Sequence, residues 1–214
     1  MAKQLAKKLQ YIYVDSGAMY RAITLYAMQH HLVSKHKFDK QKLISALGNI
    51  NLEFKFNKNL GYGEIFLNDV NVEDKIRSLS VSNYVSKVAE VSEVRKKLVK
   101  QQQLMGANKG VVMDGRDIGT VVFPDAELKF FITASADIRA KRRFDELIKK
   151  GDKVSYDEIL KNVKERDYTD STREDSPLIM ANDAIEIDNS NLSLKEQFNK
   201  IYRIAEDKIK IINN

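Results

Sequence analysis

Seven residues, Val111–Asp117 (VVMDGRD), bring together a short apolar run, two carboxylates, a glycine and an arginine. Val111, Val112 and Met113 suit a strand covered on both faces. Asp114 then falls at the C-terminal end of that strand, where open α/β sheets hold their ligands. Gly115 frees the backbone to turn, and Arg116 and Asp117 follow on the turn. This order suits a site that holds a metal and a phosphorylated ligand together. A hydrolytic turn or a surface loop does not need it.

Most basic residues of the chain are lysine, but arginine gathers in Arg139–Arg143 (RAKRR) and in Glu165–Arg173 (ERDYTDSTR). On a helix Arg139 shares a face with Arg142 and Arg143. Arg166 and Arg173 flank Asp170 across an expected break in helix. A solvated charged face is the plain alternative, yet the planar guanidinium fork is suited to bidentate phosphate binding. Asp15-Ser16-Gly17 follows an expected strand, with Tyr20 and Arg21 about one helical turn later. Ser16 can hold an anion at the helix start, and Arg21 can reach over to it; the alternative is an ordinary turn with a serine cap. Ser86 and Arg95 sit among helical segments and, taken alone, read as surface residues. The histidines His30, His31 and His36 lack metal-ligand spacing, so no metal site is expected there.

The elements that must position these residues follow from periodicity and caps. Ala2, Leu5, Ala6 and Leu9 have helical spacing. Tyr11–Asp15 reads as a strand, Ser16-Gly17 as a turn and Ala18–His30 as a helix. Asp39 caps a helix through Leu47. Leu52–Phe56, Glu64–Leu67 and Val70–Val72 read as short strands of an inserted antiparallel patch. Helices follow at Ser80–Ala89 and Ser92–Ala107. The α/β alternation then resumes with strands at Val111–Asp114, Leu128–Thr133 and Ala184–Asp188. The intervening helices start at Ser135 and at the Ser155/Glu158 capping box, and a last one starts at Ser193/Glu196. Four strands separated by helices imply right-handed crossovers and a parallel sheet.

A chain of 214 residues with 43% apolar content supports one domain with a substantial core. No apolar run approaches a membrane span and the basic N-terminus lacks the apolar core of a secretory signal. The absence of cysteine rules out disulfides and thiolate metal sites and fits a cytoplasmic protein. The net charge of +6 reflects a lysine-rich surface or a polyanionic ligand such as a nucleotide. Nucleic acid is not expected as a partner, because neither zinc spacing nor an aromatic–basic ribbon is present.

Along almost its whole length the chain resembles bacterial cytidylate kinases. The matching segments are Tyr13–Ala22 (YVDSGAMYRA), Val81–Arg95 (VSNYVSKVAEVSEVR), Val111–Lys129 (VVMDGRDIGTVVFPDAELK), Arg139–Arg143 and Lys164–Glu174 (KERDYTDSTRE). The resemblance implies a P-loop nucleoside monophosphate kinase fold, a parallel sheet with flanking helices. Residues 33–79 would form a monophosphate-binding insert and residues 142–173 a helical lid. It implies transfer of the γ-phosphoryl of ATP to CMP or dCMP with Mg²⁺, by a monomer. Ser86, Arg95 and Asp117 would read the cytosine edge. Ser16, Arg21, Arg116, Arg166 and Arg173 would surround phosphates, and Asp170 the ribose. Arg142 and Arg143 would lie on the ATP side. Asp114, Arg116, Arg166 and Arg173 would be the catalytic set.

One departure stands out. The family's Walker A motif, G-x-x-x-x-G-K-[ST], has no counterpart, because no glycine in this chain is followed by lysine. Met1-Ala2-Lys3 aligns with the helix after that loop, so the family's first strand is expected to be missing from the sheet centre, between the strands of Asp114 and Phe130. The expectation is that ATP binding and transfer fail in the chain as written. It would then be a shortened reading frame, a truncated gene product, or a non-catalytic binder of cytidine nucleotides.

Overall fold

The computed structural model describes residues 1–213. The chain opens with α1 (Ala2–Leu9), β1 (Ile12–Asp15) and α2 (Ser16–Gln29). It then forms α3 (Lys40–Ala46) and the strands β2 (Leu52–Asn57), β3 (Tyr62–Leu67) and β4 (Val70–Asn71). Two helices, α4 (Leu79–Ala89) and α5 (Ser92–Gly106), lead to β5 (Val111–Asp114). The remainder is β6 (Phe130–Thr133), α6 (Ala136–Lys149), α7 (Tyr156–Thr172), β7 (Ile185–Asp188) and α8 (Leu194–Asn213).

The α/β architecture with parallel pairing is as expected, but the strands do not join into one sheet. β1 pairs with β5 in parallel, placing Asp15 opposite Asp114. β6 pairs with β7 in parallel, Phe130 opposite Ile185. Among the described residues the two pairs are separate sheets. β2–β3–β4 form the expected antiparallel patch.

α2 is the element on which the core is built. The Asp15 carboxylate caps it by accepting from the Ala18 N–H at 2.8 Å. Ser16 and Gly17 are therefore the first residues of the helix, and not a separate turn ahead of it. Ala18, Met19, Ala22, Ile23, Thr24 and Ala27 are fully buried, and Tyr20 and Leu25 nearly so. A helix apolar on nearly all sides belongs inside a protein. Around it pack Leu43, Ile65, Ile76, Val88, Val94 and Leu98. A second cluster joins Leu5 of α1 and Ile201 and Ala205 of α8 to Ile187, with Val112 and Phe130 against it. A third, Ala140, Leu147 and Ile159, holds α6 to α7.

The expected break near Asp170 is absent, and α7 runs on to Thr172. Residues 167–172 (DYTDST) are weak helix formers, but tertiary bonds override that preference. Arg139 grips Asp167 with two bonds of 2.7 and 2.6 Å. Asp170 holds Arg116 at 2.9 Å and Arg173 at 3.2 Å. The Ser171 and Thr172 hydroxyls donate back to the carbonyls of Asp167 and Tyr168.

Since Ile23 is fully buried in this core, Ile23→Ala is expected to cost about 2–5 kcal/mol. Urea unfolding should show a lower midpoint with an unchanged slope; an unchanged midpoint would contradict the placement of α2.

Candidate nucleotide-binding site

The site residues come from the C-terminal ends of β1 and β5, the first half of α2, the later turns of α4, the first turn of α5 and the end of α7. Gly115 lets two of these meet. A Cβ at this position would overlap the Ser16 hydroxyl and come within 2.8 Å of Ile118. Without one, Ser16 donates to the Asp114 carbonyl at 2.7 Å and ties α2 to the turn after β5.

At one end of the site Arg95 and Asp117 form a buried ion pair, both nearly inaccessible to water. Arg95 also donates to the Ala89 carbonyl at 3.2 Å and lies over the Tyr20 ring. Asp175 stands 3.7 Å from Arg95 Nε. Burial pushes the Tyr20 hydroxyl up to about 12, against the nearby Arg95. Ser86 is one helical turn before Ala89 on α4.

In the middle lies Asp170, buried and gripping Arg116 and Arg173 together. Arg173 in turn donates to the Ser176 carbonyl at 2.9 and 2.6 Å. Burial lowers the pKa of Arg173, with Arg95 adding to the effect and Asp170 opposing it.

At the other end the Asp15 carboxylate meets Arg21 at 2.9 Å and Arg77 at 2.8 Å. Burial works against this carboxylate, but Arg21 and Arg77 outweigh it and lower its pKa. Glu73 holds Arg77 from the far side at 2.6 Å. Arg166 is half-buried and reaches only the Ser82 hydroxyl, at 3.3 Å. Burial first, then Arg116, push its pKa down to about 10, with Arg21 and Arg143 adding and Asp170 opposing. Such a crowd of cations around a desolvated guanidinium favours an anion.

Folding leaves several polar atoms here without hydrogen-bond partners: Tyr20 Oη, Arg21 Nε, Ser86 Oγ, Arg95 Nε and Arg166 Nε. Buried polar groups are otherwise almost always paired. Their concentration on these elements fits a polar, anionic ligand.

Arg142 and Arg143 are placed differently. Arg142 is fixed on Asn189 at the end of β7, with bonds of 2.9 and 2.8 Å. Arg143 donates to the Arg77 carbonyl and pairs with Glu146 at 2.9 Å. It therefore fastens α6 to the segment before α4. Arg77, Glu73 and Tyr13 join the site without having stood out in the sequence. Arg77 carried a signal, being the sole arginine between Val33 and Leu79 in a lysine-rich stretch.

Asp114 is exposed at the C-terminal end of β5 and accepts from the Tyr13 hydroxyl at 3.0 Å. The surrounding protein, then Asp15, push its pKa up to about 6; Tyr13, Arg21 and Arg77 restrain the rise. As a metal centre the region is poorly equipped: Asp15 is taken by two arginines, and no group of three carboxylates or histidines among the described residues could hold an ion.

Fold and site define an α/β protein with arginines and carboxylates gathered at the C-terminal ends of parallel strands. The chain belongs to the cytidylate kinase family, whose family model matches residues 1–207. It is 64% identical to a cytidylate kinase of Flavobacterium johnsoniae over 211 residues, covering 99% of this chain and 92% of the relative. It is 65% identical to that of Flavobacterium psychrophilum, over 92% of this chain and 88% of the relative. A Porphyromonas gingivalis cytidylate kinase is 48% identical over 198 residues. By family the chain is a nucleoside monophosphate kinase, a phosphotransferase. No described helix is long and apolar enough to cross a membrane.

The folded pKa of Asp114 lies above the ordinary value of 3.8. Its contribution to stability is therefore fully present below that value and is lost as pH rises through about 6. Tyr13→Phe removes a bond to the ionised form and should raise the Asp114 pKa further. Carbon-13 NMR titration of the aspartate carboxyls checks this, and an unchanged or lowered value would contradict the assigned pair.

Proposed function

We propose that the site binds CMP or dCMP as the phosphoryl acceptor, with the base at Arg95–Asp117 and the phosphate toward Ser16, Arg21 and Arg166. The observation that carries this reading is the set of unpartnered polar atoms on Ser86, Arg95, Tyr20, Arg21 and Arg166. Cytosine offers an amino donor beside an acceptor edge. Asp117 accepts from the amino group, while Arg95 and Ser86 donate to the acceptor edge. Uracil presents a carbonyl to Asp117, which leaves both groups unpaired and repelling. Asp170 takes the ribose, continuing the line from base to phosphate.

In phosphoryl transfer the γ-phosphorus leaves its bridging oxygen on ATP and bonds to a phosphate oxygen of CMP, giving ADP and CDP. The protein's part is positioning and charge neutralisation. Arg116, Arg166 and Arg173 supply positive charge beside the acceptor phosphate. Residues 33–79 serve as the monophosphate-binding insert and 142–173 as the lid. Contacts of Asn162 and Arg166 with Ser82, at 3.1 and 3.3 Å, support closure of the lid over the site. The protein works in this reading as a cytoplasmic monomer on free nucleotides.

The residues fit the acceptor better than the donor. With no Gly-Lys pair, these 214 residues contain no P-loop to cradle ATP phosphates. Asp114 alone is a poor seat for Mg²⁺. This favours a second reading, in which the chain binds the acceptor without transferring phosphoryl by itself.

Calorimetry with CMP and UMP tests the base-reading role on the chain and on Asp117→Asn. CMP should bind the parent at least tenfold more tightly than UMP, and the substitution should cost about 1–3 kcal/mol of CMP affinity while narrowing that gap. Equal affinities in the parent, or unchanged discrimination in Asp117→Asn, would overturn the assignment. Formation of CDP from ATP by the same chain would exclude the second reading.

A further inference from the structure

Arg95 lies between two carboxylates, Asp117 and Asp175. Its Nη2 pairs with Asp117, and its Nη1 donates to the Ala89 carbonyl at 3.2 Å. Its Nε is buried without a hydrogen-bond partner. Asp175 Oδ1 stands 3.7 Å from that nitrogen, close enough for an ion pair and just too far for a hydrogen bond.

The chain after α7 is folded so as to hold Asp175 there. α7 ends at Thr172 and the chain turns back at once. The Leu178 N–H donates to the Asp170 carbonyl at 2.7 Å, and Arg173 clamps the Ser176 carbonyl. Ser176 closes the turn with a φ of 52°, a conformation that residues with a Cβ adopt at a cost. Its hydroxyl donates to the Asp175 carboxylate at 2.7 Å. Burial works against that carboxylate, but Ser176 and Ser92, then Arg95 and Arg173, lower its pKa, so it is ionised at neutral pH. The Asp175 side chain is 37% exposed, against 2% for Arg95. An anion thus reaches a buried cation while keeping part of its own hydration. An acid beside the first turn of α5 also suits the helix dipole, which is the structural alternative.

We propose that Asp175 is a positioning residue for base selection, holding Arg95 when Asp117 turns part of its carboxylate to the cytosine amino group. This rests on the base reading under Proposed function. In the free chain Asp117 is bonded to Arg95. A cytosine amino group competes for that carboxylate, and a buried guanidinium stripped of part of its counter-charge is costly. Asp175 offsets the cost through Nε, an atom to which Asp117 is not bonded. Uracil turns a carbonyl to Asp117, so Asp117 stays on Arg95 and Asp175 has little to supply. Asp175 therefore adds more to the affinity for CMP than to that for UMP. It acts through Arg95 and touches no reacting atom.

The test is calorimetry with CMP, and with UMP by displacement, on the whole chain and on Asp175→Asn, Asp175→Ala and Asp175→Glu. Asparagine keeps an oxygen that accepts from Ser176 and removes the charge, whereas glutamate keeps the charge. Both neutral variants should lose CMP affinity by about threefold or more, with UMP affinity changed by less than about twofold. Glutamate should recover most of the CMP loss. A purely structural role at α5 gives a different pattern: CMP and UMP weaken by the same factor, and asparagine recovers binding as well as glutamate does. That pattern, unaltered CMP affinity in both neutral variants, or no recovery with glutamate would each overturn the proposal and leave the base reading in place. Equal binding of CMP and UMP by the parent chain would overturn the base reading and this inference with it.

Discussion

Arg95 and Asp117 form an ion pair inside the protein, and the candidate site is arranged around it. Removing two charges from water costs several kcal/mol per ion, and their attraction repays this only with good geometry and further bonds. Some of those bonds are present. The Ala89 carbonyl accepts from Arg95, and the backbone around Asp117 is fixed by the Val121 N–H bonding to its carbonyl at 2.9 Å. Arg95 Nε, Ser86 Oγ and Tyr20 Oη are left over. A polar cluster satisfied in part is costly for a protein that has no ligand, and reasonable for one whose ligand completes it.

A second carboxylate orders the opposite end. Asp15 caps α2 and holds Arg21 and Arg77. One side chain thus fixes the start of the most buried helix and two guanidinium groups at the strand ends. Burial first, then the nearby cations, push Arg166 down to about 10, a setting that favours an anion beside it. The two ends are joined through Asp170, whose grip on Arg116 and Arg173 also keeps a weak helical sequence in α7. The arrangement of the candidate site and the helicity of the end of α7 therefore depend on the same bonds.

Much of this was legible in the sequence because it is local. The four-residue strand Val111–Asp114, the caps at Asp39, Ser135 and Ser155, and the Ser193/Glu196 box all follow from short-range patterns. The motif segments also pointed to Ser16, Arg21, Arg95, Asp117 and Asp170 as one group. What escaped was non-local. The end of α7 is helical through contacts with Arg139 and Arg116, which lie far away in sequence. Arg77 gains its role only when the segment before α4 folds back onto Asp15. Arg142 sat in a basic run that looked uniform, yet it is committed to Asn189 while Arg143 goes elsewhere.

The central claim is that the polar atoms left open by folding form the acceptor-nucleotide site. A crystal structure of the chain with CMP tests it most directly. The account predicts the cytosine amino group on Asp117, Ser86 or Arg95 on its acceptor edge, and the phosphate within bonding distance of Arg21 or Arg166. Nucleotide bound elsewhere, with Ser86 Oγ and Arg166 Nε still unpartnered, would contradict it.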